Sequence, residues 1–458
     1  MALVTSVAPR TRRNVELLLL VLAVAVALGA YALVGLASGG RVPADLAGVG
    51  GGLVLLTVAL HVVIRLRAPY ADPAILPIAT ALNGLGLVVI HRIDVARHRD
   101  FAHSAAPRQL IWTAVGIVAA AAVLILLRDH RPLRRYTYTA MAGGLALLLL
   151  PLVPGLGQSI NGARIWILLG PLSFQPGELA KLLLAVFFAG YLVTARDSLS
   201  LVGRKVLGMQ LPRGRDLGPI LLAWLASVGV LIFERDLGTS LLFFGLFVAL
   251  LYVATERTSW IVIGLGLFMG GAFAAWTLFG HVQLRVAIWL HPFRPENTDN
   301  AFQLVQGLYG MASGGLLGTG LGEGHPDFVP YSASDFIFAA FGEELGLAGL
   351  FALLLLYALL VERGLRTAIG VRDGFGKLLA GGVSFSVALQ VFVVAGGVTR
   401  VIPLTGLTLP FLAYGGSSLL SNWMIVALLL RISDSARRPA PESEPAALSL
   451  ADSEAVAA

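Results

Sequence analysis

The stretch HPDFVPYSASDFIFAAFGEELGLAG, residues 325–349, begins polar and ends as the start of a long apolar run. Asp335 stands where chain leaves water and enters that run, and Glu343 and Glu344 follow about two helical turns further in. A carboxylate at such depth is costly unless it is paired or faces a wet cavity, so each is a candidate for proton transfer or for holding a cation. The plainer reading is a helix start, where the N-terminal dipole favours negative charge anyway. The stretch alone does not choose between them.

Other segments carry the same ambiguity. Glu178 and Lys181 sit at i and i+3 on one predicted helix face, where they neutralise each other. Asp236, in FERDLGTS, is placed either to cap the next helix or to complete a cluster with Glu178 and Lys181. Of the roles open to such a cluster, a structural ion network that holds helices together is favoured. Trp166, between aliphatic residues, reads as an interfacial aromatic. The segment SGGLLGTGLGEG at 313–324 is no phosphate loop, because no Gly-Lys-Ser/Thr follows and no strand precedes it. Its glycines let backbone pack closely against the bundle. Near the C-terminus, Tyr414, Gly415, Gly416, Ser417 and Ser418 interrupt what is expected to be a spanning helix. A broken helix at membrane depth has to be buried in protein or line a cavity, as in an enzyme site or a transporter.

The elements that position these residues follow from composition. Of 458 residues, 57% are hydrophobic and 13% charged, more apolar surface than a soluble fold of this length can hide. Long apolar runs exclude a β-barrel, whose strands alternate over short segments. The fold class is an all-α polytopic membrane protein. About twelve spans are expected, near 15–37, 46–64, 74–90, 109–127, 137–154, 178–195, 218–233, 238–255, 259–279, 337–361, 377–397 and 409–431. The net charge of +7 falls in short loops, as membrane topology requires, and not in a nucleic-acid surface. No cysteine is present, so disulfides and thiolate chemistry are excluded, and the eight histidines have no metal-site spacing. No cleaved signal is expected, since Arg10, Arg12 and Arg13 precede a run too long for one.

Arg/Lys placement puts both termini in the cytoplasm. Segments 155–177, 234–237, 280–336 and 398–408 then face outward, and the longest, near 280–336, is a large extracytoplasmic loop expected to be ordered. One group of residues breaks the rule: Arg92, Arg97, Arg99 and Arg108 fall on the outer side. The expected organisation is a cytoplasmic tail at 1–14, a transmembrane domain at 15–431, and a disordered Pro/Ala/Glu-rich cytoplasmic tail at 432–458.

Six motifs occur in order: NGA..W, FQPGELAK, DLGTS, QLVQ...SGGLLGTGLG, SDFIFAAFGEELG and IPLTGLTLPFLAYGGSS. Together they resemble the SEDS family (shape, elongation, division and sporulation) over residues 110–432. GVTRVIPLTGLT, SFQPGELAK and RVAIWLHPF look more like its elongation (RodA) branch. The resemblance implies a core of about ten spans with extra N-terminal spans here. It implies a glycosyltransferase that polymerises lipid II at the outer membrane face, alongside a class B penicillin-binding protein, with no organic cofactor and no nucleic acid. It places the family's essential acidic residue at Asp335 and the tryptophan of its RWI motif at Trp166. Here the preceding residue is Ile165, with Arg164 one place earlier.

For such a reaction a single carboxylate suffices as general base, because the pyrophosphate leaves without a strong acid. Asp335 is the expected base. Arg164, Arg285 and Arg400 are the expected pyrophosphate ligands with Trp166 beside them, and a divalent cation, Mg2+ or Mn2+, is able to share that work. Glu343 and Glu344 are expected to set cavity polarity. Two rivals are a lipid II flippase and a scaffold that only recruits the penicillin-binding protein. The outward clustering of motifs favours the polymerase over a flippase.

Overall fold

The computed structural model describes residues 11–99, 103–160, 163–169, 172–200, 205–206, 209–210, 225, 229, 232–234 and 236–439. Thirteen named helices follow in chain order. The first six are α1 (Arg13–Gly39), α2 (Leu46–Arg67), α3 (Ile75–Ala96), α4 (Ala105–Leu126), α5 (Thr137–Leu149) and α6 (Pro176–Ser200). After them come α7 (Leu237–Thr255), α8 (Ser259–Leu278), α9 (Gly280–Leu290), α10 (Thr298–Gly314), α11 (Ile337–Gly370), α12 (Gly374–Val398) and α13 (Gly416–Arg437).

Among the described residues, ten helices are long and apolar enough to cross a membrane, against about twelve spans expected for the whole chain. The run at 137–154 yields only the 13-residue α5, which passes into a 3-10 turn at Leu150–Leu152. Pro151 there has no N–H to continue the helix. The run at 218–233 lies mostly outside the described residues.

The buried centre is formed by α3, α6, α12 and α13. α3 covers the short run at 74–90 and carries Asn83 within it. In the fold Asn83 is fully buried and accepts a hydrogen bond from Trp423 Nε1 of α13 at 3.3 Å. The same indole lies against Gly116 of α4, where a β-carbon would come within 2.7 Å of the ring. A polar residue in a span thus marks an interior helix with a partner, as it should. In contrast, α8 buries almost nothing against the rest of the chain and presents Leu265, Met269, Phe273 and Trp276 outward.

Between α5 and α6 lies a small antiparallel sheet, β1 (Gly157–Ile160), β2 (Ala163–Leu169) and β3 (Leu172–Phe174), in that order, which the helical reading had not included. Gln158 pairs with Trp166, and Ile167 with Phe174. The C-terminal boundary also moves. Instead of ending at 431, α13 continues to Arg437 with Ile432, Ser433 and Asp434 buried. The reason is polar: Arg431 donates to Arg67 O at 2.7 Å, and Asp434 accepts the Tyr70 amide at 2.9 Å.

Candidate functional site

Asp335 is the penultimate residue before α11, in a tight run of turns. Three interactions fix that turn. Tyr331, at φ 54°, offers its carbonyl to the amides of Ser334 (2.9 Å) and Phe336 (3.2 Å). Phe336 is fully buried, and Gly307 of α10 permits it: a β-carbon there would lie 2.7 Å from the ring. The Tyr414 amide donates to Ala333 O at 2.7 Å, tying the turn to the segment before α13. Gly406, at φ 80°, closes the approach from that segment, since a β-carbon on it would reach 4.0 Å from Asp335 Oδ2.

Asp335 is half-buried and, among the described residues, has no ion-pair partner within 4 Å. Burial pushes its pKa up to about 7. The Ser334 hydroxyl and the Arg285 guanidinium pull it down, and the negative charge of Asp236 pushes it further up. A carboxylate poised near neutrality is suited to accept a proton during turnover.

Arg285 of α9 stands between two carboxylates, Asp335 and Asp236, and donates through Nη1 to Thr405 O at 3.2 Å and Leu404 O at 3.4 Å. Asp236 caps α7, accepting from Thr239 N at 3.0 Å and from the Thr239 hydroxyl at 2.6 Å. Burial still raises its pKa. Nearby, Glu178 and Lys181 of α6 pair at 2.7 Å, and Lys181 also donates to Gln390 of α12 at 2.9 Å. Asp236 feels the charge of Glu178 but is not bonded to Lys181. The fold therefore brings together Asp335, Arg285, Asp236 and the Glu178–Lys181 pair.

It does not bring in the others. Arg164 and Trp166 lie on β2, half-buried, with no hydrogen bond to Asp335 or Arg285. Arg400, at φ 63°, clasps α9: its Nε donates to Trp289 O and Trp289 Nε1 donates back to Arg400 O, each at 3.0 Å. Tyr414 to Ser418 are not an interruption within a helix. α13 begins at Gly416, and the whole run 399–415 before it is irregular. Pro403 and Pro410 each lack a donor, and Gly416 sits so close to the Trp112 indole that any side chain there would collide. Gln109 satisfies the exposed backbone, donating to Ala413 O at 3.0 Å and accepting from Gly415 N at 3.4 Å. Ser417 accepts the Gln175 amide at 3.1 Å, and Ser418 lies under Asn422.

The real break is in α11. Gly346 has φ 64° and ψ −169°, and the glycine-rich loop fills the gap. Thr319 N bonds to Glu343 O at 2.9 Å, Gly320 N to Glu344 O at 3.0 Å, and Leu347 N to Gly315 O at 3.0 Å. A β-carbon at Gly318 would lie 2.1 Å from Glu344 O, so only glycine admits this approach. Glu344 pairs with Arg92 Nε at 2.8 Å and accepts Gly322 N at 3.2 Å. Glu343 accepts His325 N at 2.7 Å.

The four arginines that broke the charge rule now have a location. Arg92 locks Glu344 and the Gly324 carbonyl, and Arg97 donates to Val329 O at 3.1 Å and Ser332 Oγ at 3.2 Å. With Arg99 and Arg108, Arg97 lines a cavity of about 540 Å³ whose other walls include Tyr331, Ser334 and Tyr414. Arg108 stacks over the Tyr414 ring at 5.9 Å. Ser334, the residue before Asp335, forms part of this cavity's wall. Sequence reasoning did not assign it; the signal was the very excess of arginine on the wrong side. As for a metal, among the described residues no three acidic or histidine side chains converge, and the charges facing Asp335 are Arg285 and Asp236. That donor set does not fit a resident Mg2+ or Mn2+.

The sequence model of the FtsW/RodA/SpoVE family, described as a cell cycle protein, matches residues 73–438. Among curated proteins, the chain is 51% identical over 433 residues to the peptidoglycan glycosyltransferase RodA of Mycobacterium tuberculosis (strain ATCC 25618 / H37Rv), covering 94% of this chain and 92% of that one. It is 34% identical to stage V sporulation protein E of Bacillus subtilis (strain 168), over 79% of this chain and 96% of that protein. A solved chain described under structural coordination of polymerization and crosslinking by a peptidoglycan synthase complex superposes with TM-score 0.65 at 29% identity, over 81% of this chain and 99% of that one. The rod shape determining protein RodA of Thermus thermophilus gives TM-score 0.57 at 28% identity, over 81% and 98%.

Proposed function

From the premise that this chain belongs to the FtsW/RodA/SpoVE family, known also as SEDS, we propose how its residues carry out peptidoglycan glycosyl transfer. The protein is a peptidoglycan glycosyltransferase of the elongation (RodA) branch, an integral membrane enzyme. Its substrate is lipid II, and its reaction joins a sugar hydroxyl to an anomeric carbon that carries a lipid diphosphate. Asp335 takes the hydroxyl proton as the new C–O bond forms, and the old bond to the diphosphate oxygen breaks with its electrons. Arg285 on one side, and Arg97, Arg99 and Arg108 on the other, stabilise the negative charge as it moves to the diphosphate. Arg164 and Arg400 are left out of that set, the first for its place on β2 and the second for its clasp on α9.

The observation that carries this reading is Asp335 itself: half-buried, without an ion-pair partner among the described residues, at about pKa 7, under the charge of Arg285 and next in sequence to Ser334, which lines an arginine-rich cavity. The face that bears it is taken as extracytoplasmic, with both termini in the cytoplasm, because Arg65, Arg67, Arg131, Arg134 and Arg437 lie at the opposite ends of the helices. On that orientation α4 ends on the cytoplasmic side and α6 starts outside, so the chain crosses at α5 in addition to the ten longer helices. The family neighbour from a peptidoglycan synthase complex supports a transpeptidase as partner, and we assign a class B penicillin-binding protein.

The test is lipid II polymerisation by the protein co-purified with that partner, wild type against Asp335→Asn at matched folding and partner binding. Glycan ladders from wild type alone support the assignment. Ladders of equal length from both overturn it, and none from either, with lipid II transported across vesicles, favours a flippase.

A further inference from the structure

The largest cavity among those described is not at Asp335. It lies on the opposite face, where the start of α1, the end of α2 and the ends of α11 and α13 meet, and encloses about 1130 Å³. Six arginines line it: Arg12, Arg13, Arg65, Arg363, Arg366 and Arg437; no acidic residue does. Behind them, Arg13 pairs with Glu16, Arg437 with Asp72, and Arg366 with Glu362. Arg363 lies 3.2 Å from Glu362 and 3.8 Å from Asp72. Among the described residues, six guanidiniums against three carboxylates leave three positive charges unbalanced. Among the described residues Arg12 and Arg65 have no carboxylate partner, and Arg65 reaches Asn14 Oδ1 at 3.4 Å.

Positive residues on a cytoplasmic face are expected of any membrane protein. Ordinarily they splay into water. Here they converge from four helix ends on one hollow, and Asp72, itself fully buried, holds two of them in place. Guanidinium forks match phosphate oxygens in bidentate geometry, and basic pockets between membrane helices bind anionic head groups. One wall is apolar and continues toward the bilayer: Val15 lines the cavity, and Leu18 and Leu22 follow it on the same face of α1, 70% and 60% exposed. A soluble phosphate would have no use for that track. Three of the arginines (Arg12, Arg13 and Arg65) precede residue 73, where the family match begins.

We propose that this cavity binds the phosphate head group of an anionic phospholipid of the inner leaflet, with its acyl chains lying along the exposed face of α1. The proposal rests on the orientation given above and on no part of the glycosyl-transfer reading. The lipid joins the two N-terminal helices to the ends of α11 and α13 through one shared anion.

The full-length protein in detergent is equilibrated with mixed micelles of dioleoyl phosphatidylglycerol and dioleoyl phosphatidylcholine in equal amounts, and retained lipid is read by native mass spectrometry. Wild type is expected to retain phosphatidylglycerol in preference to phosphatidylcholine. Arg12→Ala with Arg65→Ala lowers that retention about tenfold or more, on the scale of lost charge-assisted hydrogen bonds. Arg12→Lys with Arg65→Lys keeps the greater part of it, which separates lost charge from lost fold, and both variants are compared at equal thermal midpoints. Equal retention by wild type and the alanine variant overturns the proposal, as does equal retention of the two lipids. Displacement of the lipid by millimolar inorganic phosphate assigns the cavity to a soluble anion and overturns it too. Polymerase activity is not read, so failure here leaves the reaction untouched, and failure of the reaction leaves this result standing.

Discussion

Asp335 and Glu344 are acidic residues nine positions apart on one segment, and their surroundings are opposite. Glu344 is almost fully buried and saturated, with Arg92 at 2.8 Å and the Gly322 amide at 3.2 Å. Asp335 is less buried and, among the described residues, has no cation in contact; Arg285 acts on it from a distance. A carboxylate bonded like Glu344 holds the glycine-rich loop and α3 against α11. An unsaturated one keeps its proton affinity near neutrality, and that is what a base requires. The comparison teaches that depth alone does not tell two carboxylates apart; a cation in direct contact, present at Glu344 and absent at Asp335 among the described residues, does.

The comparison breaks first at Asp335. Asp335→Asn should lower polymerisation by about 10²–10⁴-fold, the usual contribution of a general base. The acid limb of the wild-type rate should fall below pH 7, because only the deprotonated form accepts a proton and its pKa is about 7. The stability sign runs the other way. A carboxyl with a raised folded pKa binds more protons folded than unfolded between its ordinary value and about 7, so it loses stability as pH rises through that window. Above pH 7 the thermal midpoint of Asp335→Asn should therefore equal or exceed that of wild type, and a clear fall would mark Asp335 as structural.

Glu344→Ala should do the reverse. Leaving Arg92 buried and unpaired costs ~3–5 kcal/mol, read as a drop in thermal midpoint, whereas Arg92→Met with Glu344→Leu should recover most of it. Next in size, Arg108→Ala should raise the KM for lipid II about tenfold with a smaller change in kcat, on the scale of one charge-assisted contact. If kcat falls alone, the arginine cavity does not bind ground-state substrate. The smallest effect is expected at Gly406, whose φ of 80° is unfavourable for any other residue. Gly406→Ala should cost ~1–2 kcal/mol, with a further small loss of rate from the methyl beside Asp335, measured by denaturation and by initial velocity at pH 8.

Much of this was legible from the chain. The long apolar runs located α1 to α4, α6 to α8 and α11 to α13, and Asp335 stood out at a boundary where hydropathy changes abruptly. Partnering was not legible, because Arg92 meets a carboxylate 252 residues away. Hydropathy assigns residues to water or lipid and is silent about which ones meet. For the same reason α5 was drawn too long: its apolar run continues through Pro151, although its hydrogen bonding does not. The helix break was sought at the conspicuous Gly-Gly-Ser-Ser of 415–418 and found at Gly346, whose φ no local pattern announces. β2 was hidden because a half-buried strand beside a membrane, Ala-Arg-Ile-Trp-Ile, is too short to separate from the apolar background. The arginine cavity was present in the sequence as a contradiction of the charge rule, and it needed the fold to become a site.

The break at Gly346 has a consequence for the order in which the protein is made. The glycine-rich loop leaves the ribosome before α11, and Arg92 leaves it more than two hundred residues earlier still. Until Glu343 and Glu344 are inserted, the loop has no carbonyls to bond and Arg92 has no counter-charge. The Asp335 turn also waits, because the amide of Tyr414 that ties it down belongs to the last part of the described chain. Chains halted after α10 would thus be integrated in the bilayer yet carry an exposed glycine loop, a visible target for proteolytic quality control. The active face is the last thing biosynthesis completes, so a premature chain is never a partially competent enzyme.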